Sequence, residues 1–233
     1  MPRKKIKRIK TYVRGLDENL KGGIPDGSVI LLAGPPGSMK SSIAFNILYH
    51  NALKEDKRSV YISLEETRDS LIENMQGLGM DWNEVDRKMS ILDLGLIRSR
   101  VSELENMDWI QVFRRYVKNL KKNINNDLLV IDSLPVLKTM AQFKDSRRDL
   151  FKFFEWLRSM KITTILVHEM PFKEVEFSSA GEGFLSDGTI HLELQREETN
   201  MNLFLSVLKM RKTDHPRDYF PLIFDDGFEI VRS

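Results

Sequence analysis

No cysteine occurs anywhere in the 233 residues. A disulfide framework and a thiolate metal centre are both excluded, and the absence fits a reducing, cytoplasmic compartment. Long apolar runs are missing too. No stretch approaches the roughly 18 residues of a membrane span, and the N-terminus lacks the apolar core of a secretory leader. Acidic residues are absent ahead of Asp17, whereas Arg3, Lys4, Lys5, Lys7, Arg8, Lys10 and Arg14 all precede it. Beyond that segment 29 of the 36 bases face all 34 acids, so the positive charge sits in a tail and the body is net negative. Such a tail can track nucleic-acid phosphates, but solvated termini carry the same pattern, and no RNP-type or zinc-finger motif accompanies it. Internal repeats are lacking as well, which excludes tandem copies of one unit.

At 41% hydrophobic, the chain suits one large α/β domain. We divide it into a basic segment, residues 1–14, and a single domain, residues 15–233. "SVILLAG" (28–34) is a buried-type strand ending in a glycine-rich loop, and "SSIAFNILYHNAL" (41–53) has apolar residues at helical spacing. "SVYISL" (59–64) reads as a second strand. "TRDSLIENMQGLG" then opens a helix, with Thr67 as N-cap and Asp69 in the first turn. "DLLVID" (127–132) and "KITTILVHE" (161–169) read as further buried strands flanking an amphipathic helix at 145–160. "GTIHLELQR", "MNLFLSVLKMR" and "PLIFDDGFEIV" then alternate like antiparallel hairpins. The order predicts a mostly parallel twisted sheet, helix-covered on both faces, with antiparallel strands at the C-terminal end.

Ligands of open α/β sheets bind at the carboxyl ends of the strands, and we assign four features to that edge. The first is "GPPGSMKSS" (34–42), which matches a phosphate-binding loop except that Met39 stands where the pattern has glycine. Its amides can cradle phosphate, with Lys40 reaching the β- and γ-phosphates and Ser41 ligating magnesium. A left-handed backbone at Met39 would cost about 1–2 kcal/mol. The second is Asp132, a carboxylate at the end of an apolar strand and a candidate metal holder. The third is the pair Glu65 and Glu66, placed to orient or deprotonate an attacking water. The fourth is "LKMRKTDH" (208–215), whose Lys209 and Arg211 share a strand face. Singly, each has a structural alternative: a turn residue, helix-entry charges, a solvated edge strand. His168 either senses phosphate or caps a buried strand, and His50 and His191 are structural or exposed.

With these motifs in place, the chain resembles the single-domain KaiC-like ATPases of the RecA/RadA superfamily, from "RIKTYVRGLDENLKGGIPDGSVILLAGPPGSMKSS" through "YISLEET" and "LLVIDS" to "LKMRKTDH" and "FDDGFEI". The resemblance implies a RecA-like P-loop core. It implies that Gly34, Gly37, Ser38, Met39, Lys40, Ser41 and Ser42 bind ATP, that Ser41 and Asp132 hold Mg2+, and that Glu65 and Glu66 are the catalytic acidic pair. It further implies that Lys209, Arg211 and His215 act on the nucleotide of a neighbouring subunit, that Asp225 lies near the base, and that the chain forms a homo-oligomer, a hexamer by family habit. In "SSAGEGFLSDGT", Gly183 and Phe184 stand where the clock protein of this family carries its autophosphorylated Ser and Thr, which disfavours an autokinase. The expected function is a Mg-dependent ATPase whose cycle regulates binding to a protein or nucleic-acid partner. The alternatives are a non-catalytic nucleotide-sensing module with a weakened loop, and a RadA-like accessory protein binding DNA through the basic tail.

Overall fold

The computed structural model describes residues 6–95, 108–143, 146–170, 181–197 and 199–231. Its strands are β1 (Arg8–Ile9), β2 (Ile24–Pro25), β3 (Val29–Gly34), β4 (Ser59–Ser63), β5 (Met89–Asp93), β6 (Leu128–Asp132), β7 (Thr163–Glu169), β8 (Gly188–Glu197), β9 (Asn200–Met210), β10 (Tyr219–Asp225) and β11 (Gly227–Ile230). The helices are α1 (Leu16–Asn19), α2 (Lys40–Lys54), α3 (Arg68–Gln76), α4 (Trp109–Ile124), α5 (Leu134–Met140), α6 (Ser146–Ser159) and α7 (Glu182–Leu185). A nine-stranded sheet runs β11-β10-β9-β8-β3-β7-β6-β4-β5. From β8 to β5 every pairing is parallel, and from β8 outward to β11 every pairing is antiparallel.

The apolar runs follow from burial on both faces. In β3, Ile30 and Leu32 join a core with Ile43, Phe45 and Leu48 of α2, while Val29, Leu31 and Ala33 join an opposite core with Phe113 of α4 and Phe153 and Phe154 of α6. The parallel strands therefore lie between two helical layers. The strands read from sequence are all present. β8 is more than half of a hairpin, however, because it also pairs in parallel with β3.

Residues 8–14, expected as a basic segment ahead of the domain, are anchored to it. Ile9, Thr11 and Val13 are buried, and β1 pairs with β2. Two of the basic residues have structural duties. Arg8 donates to the Gly23 and Lys212 carbonyls and to Thr213 Oγ1, and Lys10 forms an ion pair with Glu55 at 2.7 Å. Arg3, Lys4 and Lys5 lie outside the described residues, as do Ser178 to Ala180 of the "SSAGEGFLSDGT" stretch.

Candidate active site

Parallel pairing puts several strand ends on one edge. Gly34 of β3 registers with Glu169 of β7, and Ser63 of β4 registers with Asp132 of β6. The loop from Gly34 to Met39 leaves that edge and leads into α2. Gly34 admits no side chain, because a Cβ would lie 2.7 Å from the Leu192 carbonyl oxygen and 2.8 Å from Ser38 Oγ. Gly37 has φ +79°, in the left-handed region. Ser38 Oγ and Lys40 Nζ each donate to the Pro35 carbonyl at 2.7 Å, which ties the loop together from within.

Met39 is the N-cap of α2 and adopts the left-handed conformation itself, φ 61° and ψ 24°. The backbone geometry that glycine would supply is thus kept with methionine. The side chain, half-buried against the core on the α2 face, offsets part of the strain. Exchanging Met39 for glycine removes a left-handed penalty of about 1–2 kcal/mol and a packed apolar side chain worth about 1–2 kcal/mol. Met39→Gly is therefore expected to change the free energy of unfolding by less than about 1 kcal/mol, as read by chemical denaturation. A large loss would mean that the side chain holds the loop in shape.

Lys40 is only 6% exposed. Burial is the largest influence on its ammonium and lowers its pKa, while Glu169, Asp132 and Glu65 act in the opposite direction. Three carboxylates from three strand ends therefore act on the charge of one lysine. Glu169 went unread in the sequence, although its position at the end of a buried strand is the same signal that marked Asp132.

The adjacent glutamates have different duties. Glu65 is exposed and accepts from Ser133 Oγ at 3.2 Å, beside Asp132. Glu66 turns to its own helix: Oε1 accepts from Ser70 Oγ at 2.7 Å and from Asn74 Nδ2 of α3. The two belong to one sequence motif but occupy different environments. Beneath them lies Tyr61, fully buried, whose hydroxyl donates to Asp132 Oδ2 at 2.5 Å. Burial, followed by Asp132, raises the Tyr61 pKa well above its ordinary value, so the phenol remains a donor.

The donor set fits magnesium. Asp132 and Ser41 are hard oxygen donors, and no group of three or more His, Cys, Asp or Glu among the described residues could hold a cation unaided. A metal bound by one carboxylate and one hydroxyl depends on phosphate oxygens for the remainder, as magnesium does in nucleotide enzymes.

A cavity of about 660 Å³ is lined by Tyr12, Asp17, Asn46, His50, Leu78 and Asp225, among others. Asn46, His50 and Lys54 are four apart on α2 and form one of its walls. Burial is the main influence lowering the His50 pKa to about 4, with Lys54 adding to it.

Lys209 and Arg211 are not on this edge, which corrects the sequence assignment. Lys209 registers with Thr189, itself level with Leu31 in the middle of β3, and Arg211 N–H donates to the Asp187 carbonyl beside Val29, at the amino end of β3. The two cations are therefore set back along the strands from their own phosphate loop. Lys209 Nζ donates to the carbonyls of Gly183, Phe184 and Ser186 at 3.1, 3.0 and 2.6 Å. Arg211 pairs with Asp187 at 3.0 Å, and His215 Nδ1 lies 2.9 Å from the Pro216 carbonyl oxygen. Phe184, on α7 beside the Lys209 contacts, is 77% exposed.

Comparison with known proteins fits this architecture. The family model for the KaiC ATPase matches residues 9–233. A UPF0273 protein of Methanocaldococcus jannaschii is 30% identical over 90% of each chain, and one of Sulfurisphaera tokodaii is 26% identical over 97% of this chain and 83% of its own. The circadian clock oscillator protein KaiC of Picosynechococcus is 28% identical over 97% of this chain, which spans 45% of that protein. A crystal structure of a KaiC-like protein from Pyrococcus horikoshii superimposes with a TM-score of 0.82 and 30% identity, covering 98% of this chain and 100% of the other.

Proposed function

Because this chain belongs to the KaiC family of ATPase domains, we propose that it binds ATP with magnesium and hydrolyses it at the edge formed by β3, β4, β6 and β7. The observation that carries the reading is the shared strand edge, where Gly34 registers with Glu169 and Ser63 with Asp132, beside a loop that opens a 15-residue helix at the buried Lys40. Amides of Gly37 to Ser41 bind phosphate oxygens, and Lys40 leaves the Pro35 carbonyl for the β- and γ-phosphates. Ser41 and Asp132 hold the cation, which when bound draws charge from the phosphate oxygens. Glu65 orients and deprotonates the attacking water, and Ser133 holds its carboxylate. The base extends along the α2 row toward Asp225.

The site is shared between subunits in this proposal. Lys209 and Arg211, set back along the strands from their own loop, act with His215 on the nucleotide of the adjacent copy in a ring, a hexamer by family resemblance. The ATP cycle then changes the ring's hold on a protein or nucleic-acid partner. Subunit mixing tests the sharing. Lys40→Ala chains keep the cations and Arg211→Ala chains keep the phosphate loop; Asp187 is left with Arg158 and the Val29 N–H in the second variant. Each alone should be inactive and the mixture should recover part of the phosphate release. No recovery, with mixed oligomers demonstrated, would refute a shared site.

A second reading, a nucleotide sensor without turnover, is favoured by the left-handed Met39 alone. DNA binding through the basic tail has less support, since Arg8 and Lys10 are spent on contacts within the chain.

A further inference from the structure

We propose that Tyr61 is a positioning residue of the metal site, its phenol holding the carboxylate of Asp132. The inference rests on the Mg·ATP reading of this edge and names a residue that the phosphate-loop motif does not include. Its basis is packing. Tyr61 is in β4, next to β6, and its ring lies 6.0 Å from that of Phe45 on α2. The ring packs tilted against Phe45, and Asp132, beyond the end of the neighbouring strand's buried run, accepts from the phenol at 2.5 Å.

The hydrogen-bond directions make the link specific. Tyr61 has one proton and gives it to Asp132 Oδ2, leaving Oδ1 for the cation's shell. Rotation of the Asp132 carboxylate is thereby restricted before any ligand arrives. The phenol does not touch the nucleotide, and at 0% exposure it cannot. Its effect passes through Asp132.

The test measures equilibrium binding of a fluorescent ATP analogue, first in EDTA and then across a magnesium titration, for wild type, Tyr61→Phe, Asp132→Ala and the double variant. Phenylalanine keeps the tilted packing against Phe45 and removes only the hydroxyl. The magnesium midpoint of Tyr61→Phe should rise about ten- to hundredfold, the size of one lost hydrogen bond to a charged group, with affinity in EDTA unchanged. The double variant should be no worse than Asp132→Ala, since the phenol acts through that carboxylate. An unchanged midpoint in Tyr61→Phe overturns the proposal, and so does an equal loss in EDTA and in magnesium, which marks a purely structural role. If wild type itself shows no magnesium dependence, the Mg·ATP reading falls and this inference with it. Should the phenylalanine variant melt before it can be titrated, non-additivity is sought with Tyr61→His, which retains a donor; full additivity there overturns the link.

Discussion

Glu65→Gln is expected to slow phosphate release by about 10²–10⁴-fold while ATP binding stays within a few-fold of wild type. The same chain with Glu66→Ala is expected to hydrolyse at close to the normal rate. The contrast follows from where the two carboxylates point. Glu65 is exposed at the strand edge, held by Ser133 Oγ, and close enough to Lys40 to act on its charge. An amide in its place keeps the size and removes the base. Glu66 accepts from Ser70 and Asn74 on α3, so alanine there deprives two donors of their acceptor and costs about 1–2 kcal/mol of stability. Paired rate and denaturation measurements on both variants check this. Equal loss of turnover in both would mean that the adjacent acids work as a unit and that the α3 contacts are incidental.

Lys40→Met is expected to weaken ATP binding by about 100-fold or more, the scale of losing charge-assisted contacts to two phosphates. Its effect on the ligand-free protein should be small. The ammonium is buried, which penalises its charge, and the attraction of Glu169, Asp132 and Glu65 offsets that penalty. Methionine fills a similar volume and removes both contributions together. Calorimetric titration and a denaturant melt of the same preparation separate the two effects. Affinity within a few-fold of wild type would mean that the loop does not cradle the phosphates.

The sequence revealed the chemical edge better than the whole molecule. β3, β4, β6 and β7 are buried on both faces and read as apolar runs, so their carboxyl ends, and with them Lys40, Glu65 and Asp132, could be located without coordinates. β5 and α4 were not read. β5 lies at the sheet edge and is half-covered, so its "MSILD" lacks a continuous apolar run. α4 does carry the signal: Trp109, Phe113 and Val117 recur every four residues, with Lys and Arg filling much of the rest.

What the sequence misplaced depended on pairing. "LKMRKTDH" looks like a fourth member of the site in one dimension. The antiparallel return of β9 along β8 carries it to the amino end of β3, a consequence of register that no local pattern encodes. The same holds for Glu66, indistinguishable from Glu65 until α3 folds back and claims it. Tyr61 was passed over because a tyrosine in a buried strand reads as core. Only the neighbouring strand end gives its hydroxyl something to hold. Met39 is the reverse case: the sequence marked it as a departure, and its left-handed backbone agrees with the strain expected there.

The most direct measurement is phosphate release from ATP by the wild-type chain under single-turnover conditions, with and without magnesium, alongside ATP binding on the same sample. The account predicts release that requires magnesium and disappears in Glu65→Gln while binding persists. Tight ATP binding with no release above background, and no gain in Met39→Gly, would contradict it and leave a nucleotide sensor in place of an ATPase.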